Sequence, residues 1–113
     1  MNTTAWVSLL IAGLFEVVWA ISMKYSVGFT KLWPSVITLA AMWVSFAFLS
    51  YSLKHIPIGT AYAIWVGIGA VGVAALGMLW FKEPATLARI ACISLIVAGA
   101  VGLKLLSPDT DIV

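Results

Sequence analysis

Two stretches of this chain fix most of what it can fold into. Between Lys31 and Lys54 lie 22 residues without a charge, and between His55 and Lys82 lie 26. Two further apolar runs flank them, about 4–23 and about 85–106. Around 20 apolar residues in helical conformation cross the hydrocarbon core of a bilayer, so each of the four runs is long enough to span. No water-soluble fold of 113 residues hides this much apolar surface, because small domains bury only about 60–70% of their area. Charged residues make up 9% of the chain, against roughly 25% in an average soluble domain. The mean hydropathy of +1.15 agrees. The solvent is therefore lipid. The expected fold is an all-α integral membrane domain with four transmembrane helices over about 4–23, 33–53, 57–81 and 85–106.

Proline and tryptophan mark the edges of these spans. Pro34, Pro57 and Pro84 fall at or just before the start of a span, where a missing N–H costs nothing, and Pro108 follows the last one. Gly28 is placed to end the first helix. Trp6, Trp33 and Trp80 sit where an aromatic belt meets the membrane surface. Trp19, Trp43 and Trp65 lie deeper, with Trp43 expected toward lipid. The tail 107–113 is short, acidic at Asp109 and Asp111, and expected to be disordered. The N-terminal run lacks a basic leader and is interrupted by Glu16, so we expect it to be retained rather than cleaved.

Glu16 is the one ionisable residue deep in any span. From Ala5 to Met23 only Ser8, Glu16 and Ser22 are neither hydrophobic nor glycine. A helix begun at Thr4 carries Glu16 roughly 18 Å along its axis, near mid-membrane. A charge at that depth costs at least ~2.5–3.5 kcal/mol, and residues retained there usually serve ion or proton movement. The alternative is a structural ion pair with Lys24 or Lys104. Both lysines lie at span ends, at a different depth. Ala12, Gly13, Trp19, Ala20 and Met23 share the helix face of Glu16. Gly13 and Ala20 are expected to leave space beside the carboxylate, with Trp19 as a flat wall. A carboxylate, free space and ring faces suit an organic cation.

Tyr62 and Trp65, three apart, share a face of the third span and are expected to line the same site. Ser45, in mid-span, either lines it or bonds its hydroxyl to a carbonyl one turn back; Thr38 has the same choice. Gly67, Gly69 and Gly72 spell G-x-G-x-x-G, but inside an apolar span and with no acidic residue about 20 positions on, so a nucleotide site is rejected. They serve close helix approach or bending, with Gly77. In the fourth span Ala91, Ala98, Gly99 and Gly102 form a small-residue seam, expected between subunits. Cys92 is the single cysteine, which excludes an intrachain disulfide. No metal-ligand cluster, catalytic triad or phosphate loop is visible, so neither an enzyme nor a cofactor is expected, and no role falls to His55. A net charge of +2 with scattered basic residues gives no nucleic-acid patch.

With four spans both termini share one side. Lys54 and Lys104 lie on that side; Lys24, Lys31, Lys82 and Arg89 lie on the other. This asymmetry is weak, so the chain is able to insert in both directions. One chain supplies only half of what alternating access commonly uses, two halves in inverted orientation. The expected assembly is thus an antiparallel homodimer.

Phe15-Glu16-Val17-Val18-Trp19-Ala20 with Lys24, Pro57-Ile58-Gly59-Thr60-Ala61-Tyr62-Ala63-Ile64-Trp65 and Gly67-Ile68-Gly69-Ala70-Val71-Gly72 together resemble the small multidrug resistance family, over nearly the whole chain from Trp6 to Leu106. Trp19-Ala20 after the glutamate, and Lys82-Glu83-Pro84 after the third span, are similar to its guanidinium-exporting branch; the quaternary-ammonium branch typically has Gly-Thr at the first pair. Val66 departs from that branch, which usually has a threonine there. The resemblance implies a dual-topology homodimer in the bacterial inner membrane and proton-coupled export of guanidinium from the cytoplasm. It implies that Glu16 is the shared proton and substrate carboxylate, with Gly13, Trp19, Ser45, Tyr62 and Trp65 around it. Export of quaternary ammonium or other hydrophobic cations is the alternative within transport. A small non-transporting membrane subunit is the alternative outside it, and such a subunit has no need of Glu16.

Overall fold

The computed structural model describes residues 3–106; the acidic tail and Pro108 lie outside them. Four helices account for the regular structure of these residues: α1 (Thr3–Tyr25), α2 (Leu32–Ser52), α3 (Ile58–Trp80) and α4 (Leu87–Leu106). At a rise of about 1.5 Å per residue each is roughly 30–35 Å long, the thickness of a hydrocarbon core. All four are apolar enough to cross a membrane.

The helix ends follow local chemistry. Pro57 stands at the N-cap of α3, its carbonyl accepting the Ala61 amide at 2.9 Å. Pro34 sits in the first turn of α2. The fourth helix begins two residues later than the apolar run suggests, because Thr86 caps it: its hydroxyl accepts the Arg89 amide at 3.2 Å and its carbonyl accepts that of Ile90 at 3.0 Å. The α1–α2 turn is tighter than Gly28 alone implies. Val27, Gly28 and Phe29 all adopt positive φ. The buried Ser26 holds them there, donating to the Met23 carbonyl at 2.6 Å and accepting the Phe29 amide at 3.1 Å. Left-handed backbone at a non-glycine residue is uncommon, and here side-chain bonds stabilise it.

α1 is the central helix. It packs on α2 along one side and on α3 along the other, while α4 packs mainly on α3 and reaches α1 through Lys104, whose ammonium lies over the Trp6 ring. α2 and α3 barely meet. The order across the molecule is therefore α2–α1–α3–α4. The smallest dimension is 17 Å, less than two helix diameters. The small core is built from Ala5, Leu9 and Ala12 of α1, then Ile56, Ala61, Ile64 and Trp65. The first three recur at helical spacing on one face. No residue of α4 is buried. Trp33, Trp43 and Trp80 are exposed, whereas Trp6, also expected in the belt, is half-buried with the Lys104 ammonium over its ring. A layer this thin encloses nothing by itself, and its exposed Leu, Val and Ile side chains suit lipid or a second copy.

Candidate functional site

The site is built where α1 crosses α3. Large side chains on one helix meet glycines on the other. A Cβ placed on Gly69 would fall onto the carboxylate of Glu16, with Glu16 Cγ at 2.9 Å. A Cβ on Gly72 would meet the Val17 side chain, and one on Gly13 would lie 2.6 Å from Ile68 Cγ2. On the other face of α3, Gly67 seats Ile96 of α4, whose Cγ2 would lie 3.5 Å from an added Cβ. α3 is an unbroken α-helix through all of these positions, so the glycines act as notches for close helix approach.

Gly13 differs from its expected part. Its side faces α3, and Ile68 occupies the space that was to lie beside Glu16. Room for the carboxylate comes instead from Gly69. A signal for this existed: Gly69 follows Trp65 by four residues, hence the same face of α3.

The carboxylate has no protein partner at one of its oxygens. Glu16 Oε1 is buried and takes no hydrogen bond among the described residues. The indole Nε1 of Trp19, one turn along α1, is likewise buried and unpartnered. Nearly all buried polar atoms in folded proteins are hydrogen-bonded, so two orphans one helical turn apart are exceptions to the rule. The structural ion-pair reading of Glu16 gains nothing here. Lys24 Nζ lies over the Phe81 ring at 4.9 Å, and Lys104 Nζ over the Trp6 ring at 5.0 Å.

Ser45 belongs to a relay that joins three helices. Fully buried, it donates to the Ala12 carbonyl at 2.6 Å and accepts from Trp65 Nε1 at 3.0 Å. In a regular α-helix the Ala12 carbonyl is also the acceptor for the amide of Glu16. The relay therefore fixes the backbone turn that carries the carboxylate. Thr38 took the other course and bonds the Pro34 carbonyl of its own helix at 2.7 Å. Trp65 is 7% exposed and sits edge-on to Phe46, ring centroids 5.9 Å apart. Tyr62 packs on Trp65 at 5.5 Å but is 56% exposed. Within one chain it looks outward rather than onto Glu16 Oε1. Ala98, Gly99 and Gly102 lie on the open side of α4, and nothing stands within 4 Å of a Cβ added at either glycine. Among the described residues no group of His, Cys, Asp or Glu is placed to hold a metal.

The arrangement is thus a half-buried carboxylate with one unpartnered oxygen, an unpartnered indole one turn along the same helix, and an apolar exterior. Comparison with known proteins gives the family. The model of the Small Multidrug Resistance protein family matches residues 4–96. The chain is 59% identical over 101 residues to the guanidinium exporter of Citrobacter freundii, covering 89% of this chain and 96% of that one. It is 58% identical over 103 residues to the guanidinium exporter of Yersinia pestis, covering 91% and 99%. The guanidinium exporter of Salmonella typhimurium strain LT2 is 57% identical over 101 residues, covering 89% and 96%. The chain belongs to the small multidrug resistance family. It is a multi-pass protein of the bacterial inner membrane.

Proposed function

We propose that this chain exports guanidinium from the cytoplasm in exchange for protons, working by alternating access as an antiparallel homodimer. The observation that carries the reading is the buried, unpartnered oxygen of Glu16, in a chain 57–59% identical to proteins named guanidinium exporters. Guanidinium is planar and presents paired N–H donors that match a carboxylate. Proton and cation need the same oxygens, so the arrival of one releases the other. With the site open to one side at a time, protons entering from outside displace the cation outward. Each pH unit of gradient then supplies about 1.4 kcal/mol per proton. In the dimer two copies of Glu16 titrate as a coupled pair. Trp19, Trp65 and Tyr62 supply ring faces, and the exposed Tyr62 is available to the joined cavity. The seam at Ala98, Gly99 and Gly102 joins the subunits through their α4 helices. Val66, where the branch usually has threonine, is an exposed residue on α3 and offers no hydroxyl to that cavity.

Uptake into proteoliposomes, with guanidinium and a tetraalkylammonium ion side by side, tests the reading. Guanidinium is expected to be transported against a proton gradient and to bind more weakly as pH falls from about 8 to about 5, because the protonated carboxyl no longer attracts a cation. Transport of tetraalkylammonium alone would transfer the assignment to the quaternary-ammonium branch. An affinity that ignores pH would remove the competition at its centre.

Gly69→Ala is expected to impair transport without touching a charged group. Its methyl occupies the position of the Glu16 carboxylate, and overpacking of this kind typically costs ~1–3 kcal/mol. Gly59→Ala is the control, since open space surrounds Gly59. Guanidinium binding should weaken by about tenfold or more in the first variant and stay unchanged in the second; equal affinity in both would show that Gly69 does not set the position of Glu16.

A further inference from the structure

The α1–α3 interface has a second opening, which begins one turn beyond Glu16 at Ala20 and runs toward the helix ends that hold Lys24 and Phe81. A groove of about 360 Å³ is lined by Ala20, Ile21, Ala70, Val73, Ala74 and Gly77, and ends at Phe81, Glu83, Lys24 and Arg89. Its floor is apolar and its end is charged. From Ala70 to Phe81 it runs roughly 16 Å along the helix axis, the depth of one leaflet's share of a ~30 Å hydrocarbon core.

The charges at the end are arranged by the chain itself. Glu83 folds back so that its carboxylate packs against Gly77, where a Cβ would collide with it. Lys82 takes a positive φ at the bend, and the Glu83 amide donates to the Gly77 carbonyl at 3.1 Å. Arg89 Nη2 donates to Glu83 Oε1 at 3.3 Å. Lys24 Nζ lies over the Phe81 ring, which also packs against Tyr25 at 5.8 Å. One carboxylate therefore faces two cations. The ion pair uses one of Arg89's five N–H donors, and the ring face leaves the Lys24 ammonium protons open to an acceptor. The mouth carries an excess of positive charge at the level where lipid phosphates lie.

We infer that this groove binds one anionic phospholipid, its phosphate between Lys24 and Arg89 and one acyl chain along Ala20, Ile21, Ala70, Val73 and Ala74. Charge complementarity selects the headgroup, and the leaflet-length apolar wall selects a lipid over a free anion. The inference is independent of the transported substrate. A basic residue near an anionic membrane surface contributes on the order of fivefold in binding.

Native mass spectrometry of the full-length protein, released from bilayers of equal parts phosphatidylglycerol and phosphatidylcholine, reads the lipid retained. Phosphatidylglycerol is expected to be retained in preference. Lys24→Gln should reduce that preference about fivefold and Lys24→Arg should restore it, while Lys54→Gln, at the opposite membrane face, should leave it unchanged. Inorganic phosphate and glycerol phosphate, which lack acyl chains, should not displace the lipid. Equal retention of the two lipids would overturn the inference and is the outcome if a second copy of the chain covers the groove. Equal loss in Lys24→Gln and Lys54→Gln, or displacement by glycerol phosphate, would overturn it as well. Lys24→Arg, which keeps the charge, guards against loss of fold in the glutamine variant.

Discussion

Glu16→Gln is expected to abolish proton-coupled guanidinium transport, by at least about a hundredfold, in a protein that still folds and assembles. The glutamine amide has nearly the shape of the carboxylate and fits the same notch opposite Gly69. It carries no charge and does not titrate, so both the attraction for the cation and the competition with protons vanish. Removing one partner of a buried charge pair typically costs ~3–5 kcal/mol, which sets the expected loss of binding. Stability should move the other way. A charge near mid-membrane costs at least ~2.5–3.5 kcal/mol, and Gln removes it, so the variant should unfold at the same or a higher temperature than the parent. Falling activity with rising stability separates a functional carboxylate from a structural one. A variant that still drives proton-coupled uptake, or one that simply unfolds, would return Glu16 to a structural part and leave room for a non-transporting membrane subunit.

A chain forced into one orientation is expected to be inactive alone and active when co-expressed with an oppositely forced copy. Two or three lysines added to the ends that already hold Lys24, Lys31, Lys82 and Arg89 should fix one orientation; the same number near Lys54 and Lys104 should fix the other. The physical motive is the thinness of the chain. At 17 Å in its smallest dimension, one chain does not enclose a cavity and also gate both of its faces. α4, with no buried residue, leaves its small-residue side open to a second copy. Full activity from one fixed-orientation variant would show that inverted pairing is unnecessary. Activity of the mixed pair, with neither variant active alone, would support the antiparallel dimer over a parallel one.

The sequence by itself determined everything that depends on distance along a helix. Charge-free length decided the number of spans, and the helices follow the expected ranges to within two residues at each end. Proline positions decided where α2 and α3 start. Counting residues from Thr4 decided the depth expected of Glu16, and so its cost. Trp33 and Trp80 were legible as exposed because they stand at span ends; Trp43 and Trp65 lie at similar depth, and only packing exposed the first and buried the second. Tertiary structure decided what lies across each helix face. A soluble helix reveals its inner side by the contrast of apolar and polar faces. These spans are apolar all round, since lipid is as apolar as the core, and the inner side is chosen by which small residues let a neighbour approach. Gly13 and Ala20 were expected to leave the free space beside Glu16, and Gly69 only to let helices approach or bend. Packing put Ile68 against Gly13 and the carboxylate against Gly69. Thr38 and Ser45 posed the same choice in one span. The hydroxyl of Thr38 stayed within its helix, while that of Ser45 reached the Ala12 carbonyl of α1 and took the indole N–H of Trp65. A hydroxyl in an apolar span needs an acceptor in any case; only the neighbouring helix determines whether one lies nearer than the carbonyl a turn behind.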